Sequence, residues 1–444
     1  MATYTFNTIT PAEALSITAA DAVLFGAIAA NQVTVIYNPS GTITVTAGAR
    51  TVEVGGALAT AGADGRLVLS GDARLFVGDS GNNVSPAPSV AVNDGLYGGA
   101  GDDTMDGGLG EDLLQGNSGA DYLIGGGGRD VIYGGQDNDR IVVSVEPQDG
   151  ITLPVNDGGD FAQGNRGDDV IIGGRGPDTL LGGQGHDTIN GLAGAPDFLN
   201  GNLGDDRIEG AGTLLGEGGS DTLIGIGATD ALFGGDGDDR MTLNQGYAEG
   251  GLGNDRIEAR LGSGDVVVLG GDGADTLTAQ LASLNLRVRL SGGEGQDSII
   301  GSGGGDTLAG EAGNDTIDGL GGRDVVTGGT GADQFQIQNR ARDGDGAPAD
   351  PISILDWEVD DRLQFAFPGF TFGSALNYRE ITATSYSAAF EAARAAAPNQ
   401  GSQYVAVQVG ADVVVFGFSD AGSDPGAVIL VGRTLADISF GNMV

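Results

Sequence analysis

The chain has 444 residues, of which 85 are glycine, while aromatic residues make up only 6%. This composition is unlike that of an ordinary globular core, so the glycine must serve the backbone geometry. Sixty-one acidic residues against 20 basic ones give a net charge of −41, which disfavours nucleic acid and anionic membranes as partners. The sequence contains no cysteine and no lysine, which excludes disulfides, thiolate metal sites and lysine Schiff bases.

Residues 1–61 are predicted to form a small β-rich domain. Thr10 and Glu13 make a capping box with Pro11 at the first helical position, which predicts a short helix through Leu15. Apolar residues alternating with threonine predict strands at 32–37, 42–46 and 50–54. This domain is either a folded end that covers the repeats or a dedicated anchoring or assembly domain. The amino terminus has no signal-peptide pattern and no apolar run approaches a membrane span, so we expect neither classical export nor membrane insertion.

A nine-residue pattern, G-G-x-G-x-D-x-(apolar)-x, recurs twenty times between residues 98 and 336. Five copies run without a gap from Gly98 to Val142 and read GGAGDDTMD, GGLGEDLLQ, GNSGADYLI, GGGGRDVIY and GGQDNDRIV. The sixth position is aspartate in every copy, and the eighth is always Met, Leu, Ile, Val or Phe. A solvated acidic loop would not keep both the aspartate and the apolar residue at fixed positions of every copy.

The period predicts a stack of short strands. The glycines allow a tight turn, the three residues after the aspartate form a strand with one inward side chain, and two copies make an eighteen-residue coil. Asp103 should then lie over Asp121, and Asp112 over Asp130. Carboxylates stacked at the strand spacing of roughly 4.7 Å repel each other strongly, and a hard divalent cation would remove that repulsion. Calcium fits, because it takes six to eight oxygen ligands, whereas zinc and iron do not suit a chain without cysteine and with one histidine.

These repeats resemble the RTX family of glycine- and aspartate-rich calcium-binding nonapeptides. The resemblance covers about residues 98–336. Its last copy, GGTGADQFQI, is followed by Ile352–Trp357 and Asp361–Phe365, and together these are similar to the stretch that closes the roll in secreted RTX proteins. It implies an all-β fold, a right-handed parallel β-roll solenoid with small, mainly β caps at both ends. It also implies several bound Ca²⁺ ions, export by a type I secretion apparatus and an uncleaved secretion signal at the carboxyl end.

The predicted calcium ligands are the sixth-position aspartates of the well-formed copies. This set leaves out Asp197, which follows an additional Pro196. It also leaves out Asp255 and Asp275, which stand between insertions. The uninterrupted runs 98–142, 164–190 and 292–336 carry the prediction most directly. The predicted ligands are Asp103, Asp112, Asp121, Asp130, Asp139, Asp169, Asp178, Asp187, Asp206, Asp221, Asp230, Asp239, Asp297, Asp306, Asp315, Asp324 and Asp333.

The predicted roll domain spans residues 62–336. Its first coils are degenerate, with strands expected at 66–69 and 75–77. A repeat that begins at Gly78 is completed by residues 94–97 after an insertion with Pro86 and Pro88. Further insertions are expected at about 143–163, 243–249, 259–269 and 279–291, and they should project as loops from one side of the roll.

Residues 337–444 are predicted to form a second, mainly β cap that contains the secretion signal. Strands are expected at 352–357, 362–367, 404–409, 412–418 and 427–431. The alanine-rich stretch 386–397 predicts one helix that ends before Pro398. Trp357 is interpreted as a core residue or as a residue that closes the roll.

The sequence predicts a scaffold and no enzyme. A single histidine, His186, lies at a variable turn position, and neither H-E-x-x-H nor G-x-S-x-G is present. Paired carboxylates leave a glycosidase or lyase open by residue type, but aromatic platforms for sugars are scarce and the ends are small.

We therefore predict a calcium-dependent, self-assembling extracellular protein, a surface-layer or surface-filament subunit. The alternatives are a secreted adhesin or matrix- or polysaccharide-binding protein, and a non-catalytic ligand-binding module. Expected partners are other copies of the chain, cell-surface lipopolysaccharide or polysaccharide, and the type I secretion apparatus. Nucleic acid and transmembrane segments are not expected, and the predicted location is extracellular, associated with the cell surface.

Overall fold

The computed structural model describes residues 2–17, 22–26, 28–57, 67–69, 73–85, 92–144, 158–260, 264–280, 287–338, 351–366, 378–397, 403–418 and 426–443. The chain divides into two compact units, Met1–Gly227 and Ala228–Val444. Among the described residues no helix is long and apolar enough to cross a membrane.

Two small sheets open the first unit. Helix α1 (Pro11–Leu15) begins as expected, because Thr10 accepts a hydrogen bond from the Glu13 N–H while the Glu13 carboxylate accepts one from the Thr10 N–H. A 3₁₀ turn (Ala30–Gln32) precedes the antiparallel sheet. The parallel sheet holds Thr3–Thr5, Ala22–Gly26 and Leu67–Leu69, and the antiparallel sheet holds Val33–Tyr37, Thr42–Ala47 and Arg50–Gly55.

One strand expectation for the degenerate coils was wrong. Leu67–Leu69 pairs in parallel with Ala22–Gly26 and so belongs to the small parallel sheet, not to the roll. A short apolar strand has no feature that selects one sheet edge over another, so its position depends on the fold around it. Leu75–Val77, by contrast, does pair with Gly95–Tyr97 of the first coils. The expected insertion around Pro86 and Pro88 lies largely outside the described residues.

The first unit continues as a parallel β-roll. Strands that are two apart in sequence pair with each other, so that Leu114 stands beside Ile132, and Leu123 beside Ile141. Glycine turns extend many strands beyond the three residues expected. The strands are Leu75–Val77, Gly95–Ala100, Thr104–Gly110, Leu113–Ser118, Tyr122–Gly128, Val131–Gln136, Arg140–Ser144, Phe161–Arg166, Val170–Ile172, Thr179–Gln184, Thr188–Leu203, Arg207–Gly218 and Thr222–Gly225.

The second unit contains the same parallel roll pattern. Its last two strands, Ile352–Ile354 and Arg362–Ala366, pair in parallel with the strands of the final repeats, as the resemblance implied. The roll strands of this unit are Asp230–Asp236, Arg240–Leu243, Gly246–Leu252, Arg256–Arg260, Val266–Asp272, Thr276–Gln280, Val288–Glu294, Ser298–Ile300, Thr307–Ala312, Thr316–Asp318, Val325–Thr330, Gln334–Gln338, Ile352–Ile354 and Arg362–Ala366.

The end of the chain adds four strands and one helix, close to expectation, and its last strand pairs in parallel with Ile352–Ile354 of the roll. Helix α2 (Tyr386–Ala396) starts at Ser385, whose hydroxyl accepts the Ala388 N–H, and it packs Phe390 against the sheet. Trp357 is buried and its ring lies 6.2 Å from that of Phe335, so it closes the core as interpreted. The strands are Tyr378–Ala383, Gln403–Val409, Asp412–Phe418 and Gly426–Leu430, followed by 3₁₀ turns at Leu435–Asp437 and Phe440–Asn442.

The apolar eighth position forms the core of the roll in both units. All twenty of these side chains, from Met105 to Phe335, have exposed fractions of 2% or less. A single inward side chain per repeat is therefore enough to fill the narrow space between the two sheets of each coil, provided that every repeat supplies one.

Candidate calcium-binding columns

The sixth-position aspartates lie in stacked columns along the turns of the roll. All twenty are buried, with exposed fractions of 4% or less, although each has an ionisable carboxyl group. In the first unit one column holds Asp103, Asp121, Asp139, Asp169, Asp187, Asp206 and Asp221, and the other holds Asp94, Asp112, Asp130, Asp160, Asp178 and Asp197. In the second unit the first column holds Asp239, Asp255, Asp275, Asp297, Asp315, Asp333 and Asp361.

One carboxylate oxygen of each aspartate holds the neighbouring coil. The backbone N–H of Asp103 donates to Oδ1 of Asp121 at 2.7 Å, and that of Asp121 donates to Oδ1 of Asp139 at 2.8 Å. Asp112 and Asp130 make the same contact at 2.9 Å. The predicted stacking of these aspartates is therefore confirmed.

The second carboxylate oxygen of most column members has no hydrogen-bond donor. Buried acceptors without a partner cost on the order of 1–3 kcal/mol each, so a repeated set of them indicates a ligand that is not a hydrogen-bond donor of the chain. Among the described residues this is true of Oδ2 in Asp103, Asp112, Asp121, Asp139, Asp169, Asp187, Asp197, Asp206, Asp255, Asp275, Asp297, Asp315 and Asp333.

The first glycine of each repeat leaves room for this oxygen. At Gly116 a Cβ atom would lie 2.1 Å from Oδ2 of Asp121 and 2.6 Å from the carbonyl oxygen of Gly134 in the next coil. The same crowding recurs at Gly250, where a Cβ would lie 2.1 Å from Oδ2 of Asp255 and 2.4 Å from the Gly270 carbonyl oxygen. Carboxylate and carbonyl oxygens thus converge on one face of a glycine, which is the kind of donor set that calcium prefers.

Burial makes the charged form of these carboxyl groups unfavourable without a cation. Burial, together with the charges of Asp121 and Asp169, raises the pKa of Asp139 to about 8, although the hydrogen bond from the Asp121 N–H acts in the opposite direction. Burial likewise raises the pKa of Asp121 to about 7. The same cause raises the pKa of Asp297 in the second unit to about 6.

Repulsion within a column is large enough to decide the fold. Two unit charges one strand spacing apart repel by roughly 3 kcal/mol at the effective dielectric constant of a protein. The seven stacked aspartates of the first column in unit 1 would therefore repel by roughly 20 kcal/mol in total, which exceeds the roughly 5–15 kcal/mol stability of a typical domain. A column whose carboxyl groups are ionised therefore requires a counter-charge.

Arg74 shows what kind of group fits between a column carboxylate and the carbonyl oxygens of a glycine turn. It lies at the start of the second column of unit 1, where its Nε donates to Oδ2 of Asp94 at 2.6 Å. The same guanidinium donates to the carbonyl oxygens of Gly107 at 2.6 Å and Asp106 at 3.0 Å. A cation of the chain thus binds a column carboxylate together with the carbonyl of a first-position glycine, which confirms that this donor set accepts positive charge.

Calcium suits the remaining positions on chemical grounds. All donors are oxygen atoms, and no three His, Cys, Asp or Glu side chains converge on one point among the residues that the structure describes. A cation between two coils would therefore bind Oδ2 of stacked aspartates and complete its shell with carbonyl oxygens of the glycine turns, as a hard cation of high coordination number does. A thiolate- or imidazole-dependent metal would lack ligands there.

Three turns differ from this arrangement. Oδ2 of Asp178 accepts the Gly174 N–H at 2.7 Å, and Oδ2 of Asp306 accepts the Ser302 N–H at 2.6 Å. Asp361, at the end of its column, accepts the Glu358 N–H at 2.6 Å. These carboxylates are bound by their own turns. Asp178 and Asp306 belong to the predicted ligands, but their Oδ2 atoms already accept hydrogen bonds, so we expect no bound calcium ion to depend on them.

The second column of unit 2 is interrupted. Asp230 was predicted as a ligand, but Gly246 stands beside it in the next strand, followed by Val266 and Val288. The column resumes at Asp306, whose Oδ1 accepts the Val288 N–H at 3.0 Å, and Asp324 follows it. The expected insertions at 243–249, 259–269 and 279–291 all fall in the turns of this column. Residues 261–263 and 281–286, like 145–157 of the first unit, lie outside the described residues.

Sequence reasoning missed several column members. Asp94, Asp160 and Asp361 occupy aspartate positions, and Asn83 does so in the first coil, where its N–H donates to Oδ1 of Asp103 at 2.7 Å. None has the complete set of preceding glycines. For two of them, however, the second half of the pattern, D-x-(apolar)-x-G, is intact, as in Asp94-Gly-Leu-Tyr-Gly and Asp160-Phe-Ala-Gln-Gly.

The three aspartates that were left out share the geometry of the rest. Asp178 donates its N–H to Oδ1 of Asp197 at 2.9 Å, in spite of the additional residue before Asp197. The Asp255 N–H donates to Oδ1 of Asp275 at 2.7 Å. All three have Oδ2 atoms without a hydrogen bond. The insertions on either side of Asp255 and Asp275 fall in the opposite turn, whereas the additional residue before Asp197 lies in its own turn.

A family model agrees with this arrangement of the repeats. The family model of the RTX calcium-binding nonapeptide repeat (4 copies) matches residues 93–114, 106–141, 155–189, 163–196, 186–213, 209–241, 249–281, 289–310 and 300–335. Among solved structures, the chain is similar to the solution structure of the AlgE6R3 subunit from the Azotobacter vinelandii mannuronan C5-epimerase, with 29% sequence identity and a TM-score of 0.26. The match covers 37% of this chain and 80% of the AlgE6R3 subunit. No curated protein matches the chain. The repeat region of this chain therefore belongs to the RTX calcium-binding nonapeptide repeat family, a family of secreted proteins whose repeats bind several Ca²⁺ ions.

Proposed function

We propose that this chain is a calcium-folded structural protein that assembles outside the cell as a surface-layer or surface-filament subunit after type I secretion. The observation that carries the proposal is the series of thirteen buried carboxylates whose Oδ2 atoms have no donor among the described residues. They make calcium part of the fold along both units. The predicted ligands of the first columns, such as Asp121 and Asp297, are the residues that we assign to calcium.

The rest of the described chain supports a scaffold. At the start, Phe6, Phe25 and Val45 pack into one core with Leu75 and Tyr97 of the first coils, so that the terminal sheets cover the roll. At the other end, helix α2 packs on its own sheet through Phe390. His186 is an exposed turn residue whose Nδ1 accepts the Asp205 N–H at 2.8 Å. We therefore assign no catalytic role to these parts.

Calcium connects folding with export and with assembly. Where calcium is scarce, as in a cytosol, column repulsion and the entropy of 85 glycines favour an unfolded chain, which suits export through a channel. Outside, calcium at the roughly millimolar levels that extracellular modules use would neutralise the columns. Subunits with a net charge of −41 could then approach one another.

The test is electron microscopy of the purified full chain, together with circular dichroism. In millimolar calcium we expect ordered sheets or filaments that disappear on addition of a chelator. Folded monomers that remain dispersed at every protein concentration would overturn the assembly proposal and leave calcium-dependent folding intact. A β-structure that ignores the chelator would overturn the assignment of the columns.

A further inference from the structure

A cleft of about 790 Å³ lies in the first unit between the antiparallel terminal sheet and the outer face of the roll. Its wall comes from the strand Val33–Tyr37 and the turn that follows it. Its floor comes from four neighbouring roll strands, Gly95–Ala100, Leu113–Ser118, Val131–Gln136 and Phe161–Arg166. Tyr37 fixes the wall to the roll, because its hydroxyl donates to the carbonyl oxygen of Gly78 at 3.0 Å. The cleft is separate from the aspartate columns, none of whose members lines it.

The floor presents polar side chains in ordered rows. Gln115 stands beside Tyr133 in neighbouring strands, and in a parallel row Ser118 stands beside Gln136, which stands beside Arg166. The side chains of Gln115 and Gln136 make no hydrogen bond with the described residues, and Arg166 makes no ion pair with them. These rows therefore offer donors and acceptors that the chain itself does not use.

The cleft is nearly neutral on a strongly acidic protein. Of the residues that line it, only Asp79 and Arg166 carry a formal charge, whereas the whole chain has a net charge of −41. A cationic ligand would find no acidic cluster here, and a polyanion would be repelled by the surrounding surface. The chemistry favours an uncharged ligand with many groups that both donate and accept hydrogen bonds.

Apolar surface is present on both sides of this polar floor. The ring of Tyr133 packs at 5.6 Å from that of Phe161, which fixes its orientation, and it contributes a half-buried aromatic face. On the opposite wall Ile36 is 54% exposed. A sugar ring combines hydroxyl groups with C–H faces, so it matches amides that alternate with an aromatic ring and an aliphatic side chain.

We propose that this cleft binds a neutral glycan chain. The three coils that carry Gln115, Gln136 and Arg166 span roughly 10 Å, which accommodates a few sugar rings laid across the strands. Tyr133 supplies the stacking face, while Gln115, Gln136 and Arg166 donate to ring and hydroxyl oxygens. Such a site goes beyond assembly, because it would attach a subunit to a surface or matrix polysaccharide.

The experiment is a glycan array probed with the full chain in millimolar calcium, with neutral and acidic oligosaccharides side by side. We expect binding to neutral oligosaccharides, weakened about tenfold by Tyr133→Ala and severalfold by the exposed Gln136→Ala. Gln184→Ala is the matched control, because Gln184 continues the row of Gln136 and Arg166 but does not line the cleft. Circular dichroism in calcium verifies that each variant folds.

Three results would overturn the glycan site. They are no binding to any neutral oligosaccharide, binding to acidic glycans alone, and binding that Gln136→Ala leaves as strong as Gln184→Ala does. To make the readout independent of assembly, the protein is diluted for the array until electron microscopy detects only monomers. A glycan-binding chain that never forms sheets would thus refute the assembly proposal while retaining the cleft.

Discussion

Substitution of the first glycine of one repeat tests whether its open face belongs to a calcium site. In Gly116→Ala the new Cβ would lie 2.1 Å from Oδ2 of Asp121 and 2.6 Å from the carbonyl oxygen of Gly134, distances that real Cβ atoms do not show. Gly116 does not have the positive φ of its neighbour Asn117, so crowding and not backbone strain is what the substitution introduces. Both crowded atoms are the oxygen donors that we assign to calcium.

The magnitude has two parts. Overpacking of a rigid site typically costs about 1–3 kcal/mol. Displacement of Oδ2 from the glycine face also removes a calcium ligand, and each 1.4 kcal/mol of lost binding energy corresponds to a tenfold change in affinity. We therefore expect the calcium concentration at the folding midpoint to rise at least severalfold, and the free energy of unfolding at saturating calcium to fall by about 2 kcal/mol.

The assay is a calcium titration of the full chain followed by far-ultraviolet circular dichroism. Gly218→Ala is the matched control, because Gly218 is a third-position glycine without a positive φ and a Cβ there would lie 3.4 Å from the nearest atom, Cδ2 of Leu203. This control should change stability by less than about 1 kcal/mol, and loss of glycine entropy can even make it stabilising. If Gly116→Ala and Gly218→Ala titrate alike, the packing of Oδ2 against the first glycine has no role in calcium binding.

Three further predictions concern the column aspartates and the arginine that binds one of them. Asp187→Ala should lower the number of bound calcium ions measured by isothermal titration, whereas Asp178→Ala should not, because the Gly174 N–H already holds the Oδ2 of Asp178; equal losses would contradict this difference between turns. Arg74→Gln should destabilise the calcium-loaded chain to urea by about 2 kcal/mol, through loss of the charge-assisted contacts with the buried Asp94, and unchanged stability would contradict the role of Arg74 as a substitute cation. In chelator, lowering the pH from about 8 to about 4 should increase β-structure. The raised pKa values, about 8 for Asp139, mean that the folded state binds more protons than the unfolded state, so stability is lost as pH rises through these values; a metal-free chain that gains structure with rising pH would contradict the sign.

The repeat pattern was sufficient to predict the roll and its columns. A fixed period gives the register, so aspartates 18 residues apart in uninterrupted copies had to stack, as Asp103 and Asp121 do. The capping box of Thr10 was equally decisive, because both of its hydrogen bonds are local. The stacking of these aspartates and the capping box, which depend only on a strict repeat or on nearby residues, were confirmed.

Features that depend on distant contacts were not visible in the sequence. The apolar strand Leu67–Leu69 has no feature that selects its sheet, and it joined the terminal sheet and not the roll. Arg74 precedes the repeats and reaches Asp94 across 20 residues, so no motif links the two. Asp160 follows a long insertion and lacks the complete set of preceding glycines, although the second half of its repeat is intact.

Repeats that depart from the pattern at one position can still keep their place in the roll. Asp137 stands where a repeat should have its third glycine, yet it adopts a φ of 74°, in the left-handed region that glycine favours. Aspartate is among the few other residues that enter this region, which is why the copy keeps its place in the column. Repeats that differ in length also keep their place in the roll, because the insertions fall in the turns that lead to the second columns.

The central claim is that calcium, held between stacked aspartates, folds the roll. The most direct measurement is the far-ultraviolet circular dichroism spectrum of the full chain at pH 7.5, recorded in chelator and then in increasing calcium with magnesium as the control ion. We predict a largely unfolded spectrum in chelator and a cooperative transition to β-structure at calcium concentrations on the order of millimolar, which magnesium does not reproduce because it prefers fewer ligands in a stricter geometry. A spectrum with full β-structure in chelator, unchanged by calcium, would contradict the claim.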